Sequence, residues 1–131
     1  MKKSAFLINA VNVSIDEAHR EVLLRGGVCY PAHIDRSSNG IIAMLGDFPP
    51  EPRFTAFELN DAASLAESLE RFPIIKERGL RYVASSDAHY LTDISERSFS
   101  VELDDEPYSS DYVRGQLFDY LLNLTGGNKN G

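Results

Sequence analysis

The residues best suited to chemistry lie in three short segments, PAHIDR at residues 31–36, FELN at 57–60 and SSDAH at 85–89. Asp87 and His89 are two residues apart, so an extended backbone would send both side chains to one side, where they could bind one ion or bridge two. His33 can add a neutral imidazole. A mixed set of nitrogen and carboxylate ligands suits zinc, manganese or iron better than calcium or magnesium. The sequence therefore predicts a divalent metal site at His33, Asp87 and His89.

A second set of polar residues could bind substrate beside this site. Arg36 follows His33 closely enough to reach a phosphoryl oxygen, and Glu58 and Asn60 share one side of a predicted strand. The alternatives stay open: a loop arginine is often only solvated, and a glutamate at a strand end can form a salt bridge with a neighbour. An Asp-x-His turn can likewise be an aspartate that caps backbone amides beside a surface histidine.

Two further residues are set aside. His19 lies in a predicted amphipathic helix between Glu17 and Arg20, and we interpret it as a solvated helix residue. Cys29 precedes the end of a predicted strand and is interpreted as a core residue, with a thiolate ligand as the minor alternative.

The apolar pattern predicts elements that would hold these segments together. Helices are expected at residues 15–25, with a Ser14–Glu17 capping box, and at 38–45, 62–71 and 73–78, and a last helix is expected to be capped by Ser110 or Asp111. Strands are expected at 28–32, 54–59, 80–85 and 99–103. This alternation indicates an α/β fold with a parallel sheet or an arc of barrel wall. The first three strands each end in a polar segment, at the carboxyl ends where such folds form their sites.

Composition limits the classes of function. The 131 residues, 43% of them apolar, suffice for one domain or part of a larger one, and the net charge of −7 disfavours binding to extended nucleic acid through a basic surface. A single cysteine excludes an intrachain disulfide, and no stretch approaches the roughly 20 apolar residues that span a bilayer. We expect a reduced, cytoplasmic setting without a membrane partner, and a polar tail at 125–131 that frays.

Two of the segments resemble motifs of a known family. GGVCYPAHIDR (residues 26–36) resembles the third motif of the PHP (polymerase and histidinol phosphatase) metal-dependent phosphoesterases, a glycine-led strand ending in PAH. VASSDAHYLTDI (83–94) resembles their fourth, a strand ending in SDAH. The two stand about fifty residues apart in the family's order, with FELN between them, and the resemblance covers residues 13–103.

The resemblance implies a distorted, TIM-like barrel of seven strand–helix units, a metal cluster at its carboxyl face and hydrolysis of a small phosphorylated substrate. It makes His33 a metal ligand and Asp87 and His89 the paired ligands of the last motif, with Asp87 also able to take a proton from the attacking water.

The family's HxH motif, and the acidic residue and histidine that its first half adds, have no counterpart in this chain, which has three histidines in all. We therefore expect the C-terminal portion of a barrel, with about four strands, an incomplete site, and weak or absent activity. The other half would lie on another chain or have been removed. Two alternatives stay open: a non-catalytic module that pairs with a second copy, and a metal-dependent hydrolase of the amidohydrolase type.

Overall fold

The structure, a computed structural model, describes residues 11–104 and 109–124 of the chain. This described part is a mixed α/β arrangement, as the sequence predicts, and the tail at 125–131 lies outside it. The elements in chain order are α1 (Ile15–Leu24), α2 (Ile41–Leu45), β1 (Ala56–Leu59), a 3-10 turn (Ala62–Ser64), α3 (Leu65–Arg71), α4 (Pro73–Glu77), β2 (Arg81–Ala84), a second 3-10 turn (Leu91–Asp93) and α5 (Ser110–Leu121).

The two strands form a parallel pair in which Phe57 lies opposite Tyr82. Helices α3 and α4 make the connection between them, because parallel strands cannot be joined by a tight hairpin. The Ser85 N–H donates to the Leu59 carbonyl, so the pairing continues one residue past the end of β2. This confirms the predicted parallel relationship between the two segments, although each strand is shorter than predicted.

Helix α1 begins where the sequence predicts. The Ser14 hydroxyl accepts a hydrogen bond from the Glu17 N–H, and the Glu17 carboxylate accepts one from the Ser14 N–H at 3.0 Å, which completes the capping box. The bond from the Ser14 backbone is the main cause that holds the pKa of Glu17 below its ordinary value. His19 is not simply solvated, because its ring packs edge-on against Phe54 at 5.2 Å between centroids.

The core surrounds β1. Phe57 and Leu59, two residues apart and therefore on one face of the strand, are almost fully buried. Burial of such a side chain contributes about 1.5–3 kcal/mol, so this face fixes β1 firmly and with it the position of Asn60 just beyond its carboxyl end. The cluster consists of Ile34, Ile42, Phe48, Phe54, Phe57, Leu59, Phe72 and Ile75.

The predicted strand at 28–32 is wrong as a regular element, yet its end still borders β1. The Pro31 carbonyl accepts the Glu58 N–H and the Ile34 N–H donates to the Glu58 carbonyl, each at 2.9 Å. In a regular parallel ladder these two bonds would go to residues two positions apart, but Pro31 and Ile34 are three positions apart. The segment therefore carries one extra residue, which makes a bulge. His33, with a φ of 32°, lies within this bulge. The bulge and the missing N–H of Pro31 prevent a continuous ladder.

The predicted strand at 99–103 is also wrong. Its residues alternate between partly buried and exposed, and the Phe99 ring packs against Tyr82 at 5.0 Å between centroids, but the segment belongs to no sheet in the described part of the chain. The apolar alternation therefore reports side-chain packing against β2 and not backbone pairing. The described residues contain two strands where the sequence predicts about four.

Helix α5 is capped one residue earlier than predicted. Ser109, and not Ser110 or Asp111, has the hydroxyl that accepts a backbone N–H of the first turn. Near the other end of the helix, the Tyr120 hydroxyl donates to the Tyr82 carbonyl at 3.0 Å, which holds the helix beside β2. None of the helices within residues 11–104 and 109–124 has the length and apolar character needed to cross a bilayer.

Candidate functional site

The three polar segments meet beyond the carboxyl ends of the strands. β1 ends at Leu59 and is followed by Asn60, and β2 ends at Ala84 and runs into the SSDAH segment. The bulge at His33 borders β1 through the two backbone bonds of Glu58. Parallel pairing therefore brings residues that are far apart in sequence to one end of the sheet.

Arg36 joins these segments directly. Its Nη1 donates to Asp87 Oδ2 at 2.9 Å, and its Nη2 donates to Asn60 Oδ1 at 2.6 Å. The side chains of Arg36 and Asp87 are 39% and 33% exposed, so the pair is partly shielded from water. Three of the predicted site residues thus form one hydrogen-bonded group, and we call the set of Arg36, Asp87, Asn60 and His33 the polar cluster.

His33 completes the polar cluster from the buried side. Its residue is 9% exposed, and its Nε2 lies 4.0 Å from Asp87 Oδ2. Its Nδ1 is buried and has no hydrogen-bond partner among the described residues. A Cβ at Gly40 would lie 3.2 Å from Nδ1, so the ring fits against a position without a side chain. An unsatisfied buried nitrogen costs about 1–3 kcal/mol, which argues that this imidazole is not kept for stability.

The backbone is strained at both facing residues. His33 has a φ of 32° and Asp87 a φ of 50°, in the left-handed region that residues other than glycine seldom adopt. Aspartate tolerates this conformation better than histidine, because its short side chain can hydrogen-bond locally. Such strain concentrates at functional sites, where the surrounding structure enforces it. Two strained residues facing each other at the end of a sheet support the interpretation of the cluster as a site.

His89 does not join the polar cluster. Its residue is exposed, and its Nδ1 lies 2.8 Å from the Asp87 backbone carbonyl. The prediction that Asp87 and His89 point to one side required extended backbone, and the left-handed turn at Asp87 breaks it. Within residues 11–104 and 109–124, no three His, Cys, Asp or Glu side chains converge on a position that could hold a metal ion.

Glu58 lies next to the cluster with partners of its own. Its carboxylate accepts a hydrogen bond from the Ser85 hydroxyl. Burial, and secondly the negative charge of Glu58, raise the pKa of the Tyr30 hydroxyl. Glu58 therefore connects β1, the start of the SSDAH segment and the residue before Pro31, whereas the Arg36 guanidinium donates to Asp87 and Asn60.

Asp35 is a residue of this region that the sequence analysis did not single out. Its Oδ1 accepts the Asn60 N–H at 2.8 Å and its Oδ2 accepts the Asp61 N–H at 2.9 Å. Charge-assisted bonds of this kind fix the chain as it leaves β1, and they orient Asn60 toward Arg36. The signal available in the sequence was its place in PAHIDR, where aspartates often accept backbone N–H groups at the ends of strands and helices.

The donor atoms present fit part of a divalent metal site. His33 Nε2 and Asp87 Oδ2 face each other at 4.0 Å, whereas two ligands of one tetrahedral zinc lie roughly 3.3 Å apart when each is about 2.0–2.1 Å from the ion. A small movement of either side chain would close this difference. Arg36 already donates to Asp87 Oδ2, so an ion at this oxygen would compete with the guanidinium for it. The chain thus supplies two facing ligands of a set that needs more.

Comparisons with models of known protein families, with curated proteins and with solved structures found no match for this chain.

Proposed function

We propose that this chain carries part of the site of a metal-dependent phosphoesterase of the PHP type, and that its fold is the C-terminal portion of a TIM-like barrel. The observation that carries the proposal is the polar cluster, in which Asp87 faces both His33 and Arg36 beyond the carboxyl ends of parallel strands. Imidazole, carboxylate and guanidinium are the groups that hold a divalent ion and an anionic substrate together. The PAH and SDAH motifs support the same function from sequence.

The residues of the cluster would have separate roles. His33 and Asp87 would hold the ion, with His89 as a third ligand after a rearrangement of the turn at Asp87. A bound divalent ion would lower the pKa of a bound water and balance charge on a phosphoryl oxygen. Asp87 would accept the proton of that water. Arg36 has five N–H donors, of which two are directed to Asp87 and Asn60, so it keeps donors for a phosphoryl oxygen.

Two facing ligands cannot hold the several metal ions that the resemblance implies. We therefore expect weak or absent hydrolysis by this chain alone and full activity only when further ligands are supplied by the other half of a barrel. The substrate would be small and phosphorylated, because a net charge of −7 opposes approach of a long polyanion. The single cysteine is in keeping with a reduced, cytoplasmic location.

The first experiment is elemental analysis of the chain after purification without chelator and dialysis against zinc or manganese. We expect near one ion per chain, and loss of that ion in an Asp87→Ala, His89→Ala double variant and in His33→Ala. His19→Ala is the matched control, because it removes a histidine that packs on Phe54 outside the cluster and should keep the ion. Equal metal content in all variants, or none in any, would contradict the proposal.

A non-catalytic pairing module is the second candidate. It is favoured by the outer edge of β2, where the described residues provide no further strand and only the Tyr120 hydroxyl bonds to the Tyr82 carbonyl. A strand edge of this kind can pair with a second copy of the chain. Sedimentation distinguishes the two: a stable dimer without bound metal favours the module, and a metal-bound monomer favours the hydrolase.

A further inference from the structure

A cavity lies away from the polar cluster, toward the start of β2. It is an open cavity with a volume of about 380 Å³, bordered by the sheet, by α3 and α4, and by Tyr120 of α5. Gly79, Leu80 and Arg81, which precede or begin β2, form part of its wall, whereas Asp87 follows the other end of that strand. Cavities of about 300–1,000 Å³ are the size that takes small organic ligands.

The lining of this cavity is mixed, and its apolar part comes from α3 and from the residue before β2. Leu65 and Leu69 of α3 and Leu80 before β2 are partly exposed and present aliphatic surface, whereas Phe57 and Ile75, at 1% exposure, offer a ligand almost none. The Phe57 and Tyr82 rings stack at 6.1 Å between centroids with an interplanar angle of 28°. An aromatic or aliphatic body of a ligand would displace water from this wall at a gain of about 25 cal/mol per Å².

The charged residues at this cavity are all positive. Lys76 and Arg81 line it, and its described lining contains no carboxylate, in a chain that has 20 acidic and 13 basic residues. The Arg81 guanidinium lies 5.3 Å from the centroid of the Tyr120 ring, which holds its charge at the wall. The Lys76 ammonium forms no ion pair with a carboxylate in the part of the chain that the structure describes.

Tyr120 does not cancel this charge. Its hydroxyl donates to the Tyr82 carbonyl at 3.0 Å, and burial is the main cause that raises its pKa above the ordinary value. The phenol therefore stays neutral near pH 7. An anionic group at the mouth of the cavity would meet the Lys76 ammonium and a neutral ring.

We propose that this cavity binds a small amphipathic anion, with its aromatic or aliphatic body against Leu65, Leu69 and Leu80 and its carboxylate, sulfonate or phosphate beside Lys76. The assignment rests on the shape and charge of the cavity and is independent of the metal chemistry proposed for the other end of the sheet. The site is a binding site and requires no reaction.

The test uses two fluorescent probes of nearly the same shape, 8-anilinonaphthalene-1-sulfonate and its neutral counterpart N-phenyl-1-naphthylamine, titrated into the full chain. We expect the sulfonate to bind more tightly than the neutral probe. Lys76→Gln should weaken sulfonate binding about three- to tenfold and leave the neutral probe unchanged, because a partly exposed charge pair contributes modestly. Arg20→Gln is the control, because it removes the same charge from α1, away from the cavity.

A second variant locates the binding. Leu69→Trp fills the cavity and should abolish binding of both probes, while its circular dichroism shows that the chain remains folded. The proposal is overturned if the two probes bind equally tightly, if Lys76→Gln weakens the sulfonate no more than Arg20→Gln, or if folded Leu69→Trp binds the sulfonate as the unaltered chain does. Loss of binding in Leu69→Trp without any effect of Lys76→Gln would identify a neutral ligand and overturn the anionic class.

Discussion

The Arg36 guanidinium donates to the Asp87 carboxylate across 51 residues of sequence, with Nη1 2.9 Å from Oδ2. Its other arm reaches Asn60, so one planar group joins the loop after His33 to the residues that follow the carboxyl ends of β1 and β2. The fork geometry of arginine is suited to this, because two nitrogens can bond to two acceptors at once. The polar cluster is therefore held by a specific residue type and not by positive charge alone.

We expect Arg36→Lys to lower the free energy of unfolding by about 1 kcal/mol, because an ammonium cannot reach both acceptors in the same geometry. Urea denaturation at pH 7 measures the change. Arg114→Lys is the matched control, since Arg114 pairs with Asp111 on the exposed surface of α5 and should change stability by less than about 0.5 kcal/mol. A loss from Arg114→Lys equal to that from Arg36→Lys would show that the link to Asn60 contributes nothing.

Two glycines should respond oppositely to the same added methyl group. Gly115 lies inside α5 with open space around it, so Gly115→Ala should raise the free energy of unfolding by about 0.5–1 kcal/mol. Gly40→Ala would place a Cβ 3.2 Å from the His33 Nδ1 and should displace the ring. The side-chain NMR signals of His33 should move in Gly40→Ala and stay in Gly115→Ala. Unmoved His33 signals in Gly40→Ala would mean that the ring does not lie against this glycine.

The capping box of α1 should depend on pH. Because the Ser14 bonds hold the folded pKa of Glu17 below its ordinary value of 4.5, the folded state favours the ionised form. The contribution of the capping box to the stability of α1 is therefore complete above about pH 4.5, and it is lost as the pH falls through the lowered pKa of Glu17. Amide exchange across α1, compared between the unaltered chain and Glu17→Gln, measures it. The exchange rates of the two proteins should converge at low pH. A difference in rate that does not vary with pH would show that it does not come from ionisation of Glu17.

Tyr30 should report on Glu58. Burial and then the charge of Glu58 raise the pKa of the Tyr30 hydroxyl, so Glu58→Gln should lower that pKa while leaving it above the ordinary value. Titration of the Tyr30 ring signals by NMR above pH 9 measures the change. Glu67→Gln, an exposed substitution on α3, is the control and should leave Tyr30 unaffected. If the pKa of Tyr30 is the same in Glu58→Gln as in the unaltered chain, burial alone raises it.

Local sequence signals predicted the elements whose causes are local. The Ser14–Glu17 box fixed the start of α1, and the buried runs around Phe57 and Tyr82 gave β1 and β2. The strand at 99–103 was wrong because alternation of partly buried and exposed residues is also produced by an unpaired extended segment whose Phe99 packs on a neighbour. Backbone pairing depends on where other strands lie, and the local pattern does not contain that information.

The candidate site, like the fold, could be predicted from the sequence only in part. That the three segments would lie at one end of the sheet followed from the order of strands and polar residues, and Arg36, Asn60 and Asp87 do meet there. The failure of His89 to join them could not be predicted, since it depends on the left-handed turn at Asp87. A positive φ at a residue other than glycine cannot be predicted from composition or periodicity, because tertiary contacts impose that conformation.

The two backbone bonds of Glu58 to the bulge at His33 leave β1 flanked on both sides, by β2 and by the Pro31–Ile34 stretch. A strand in the middle opens only when its neighbours open, so the Glu58 amide should exchange with solvent as slowly as the β1–β2 amides. The stretch that carries His33 would then belong to the last part of the chain to unfold. Its cluster would persist through the local fluctuations that loosen exposed helices such as α1.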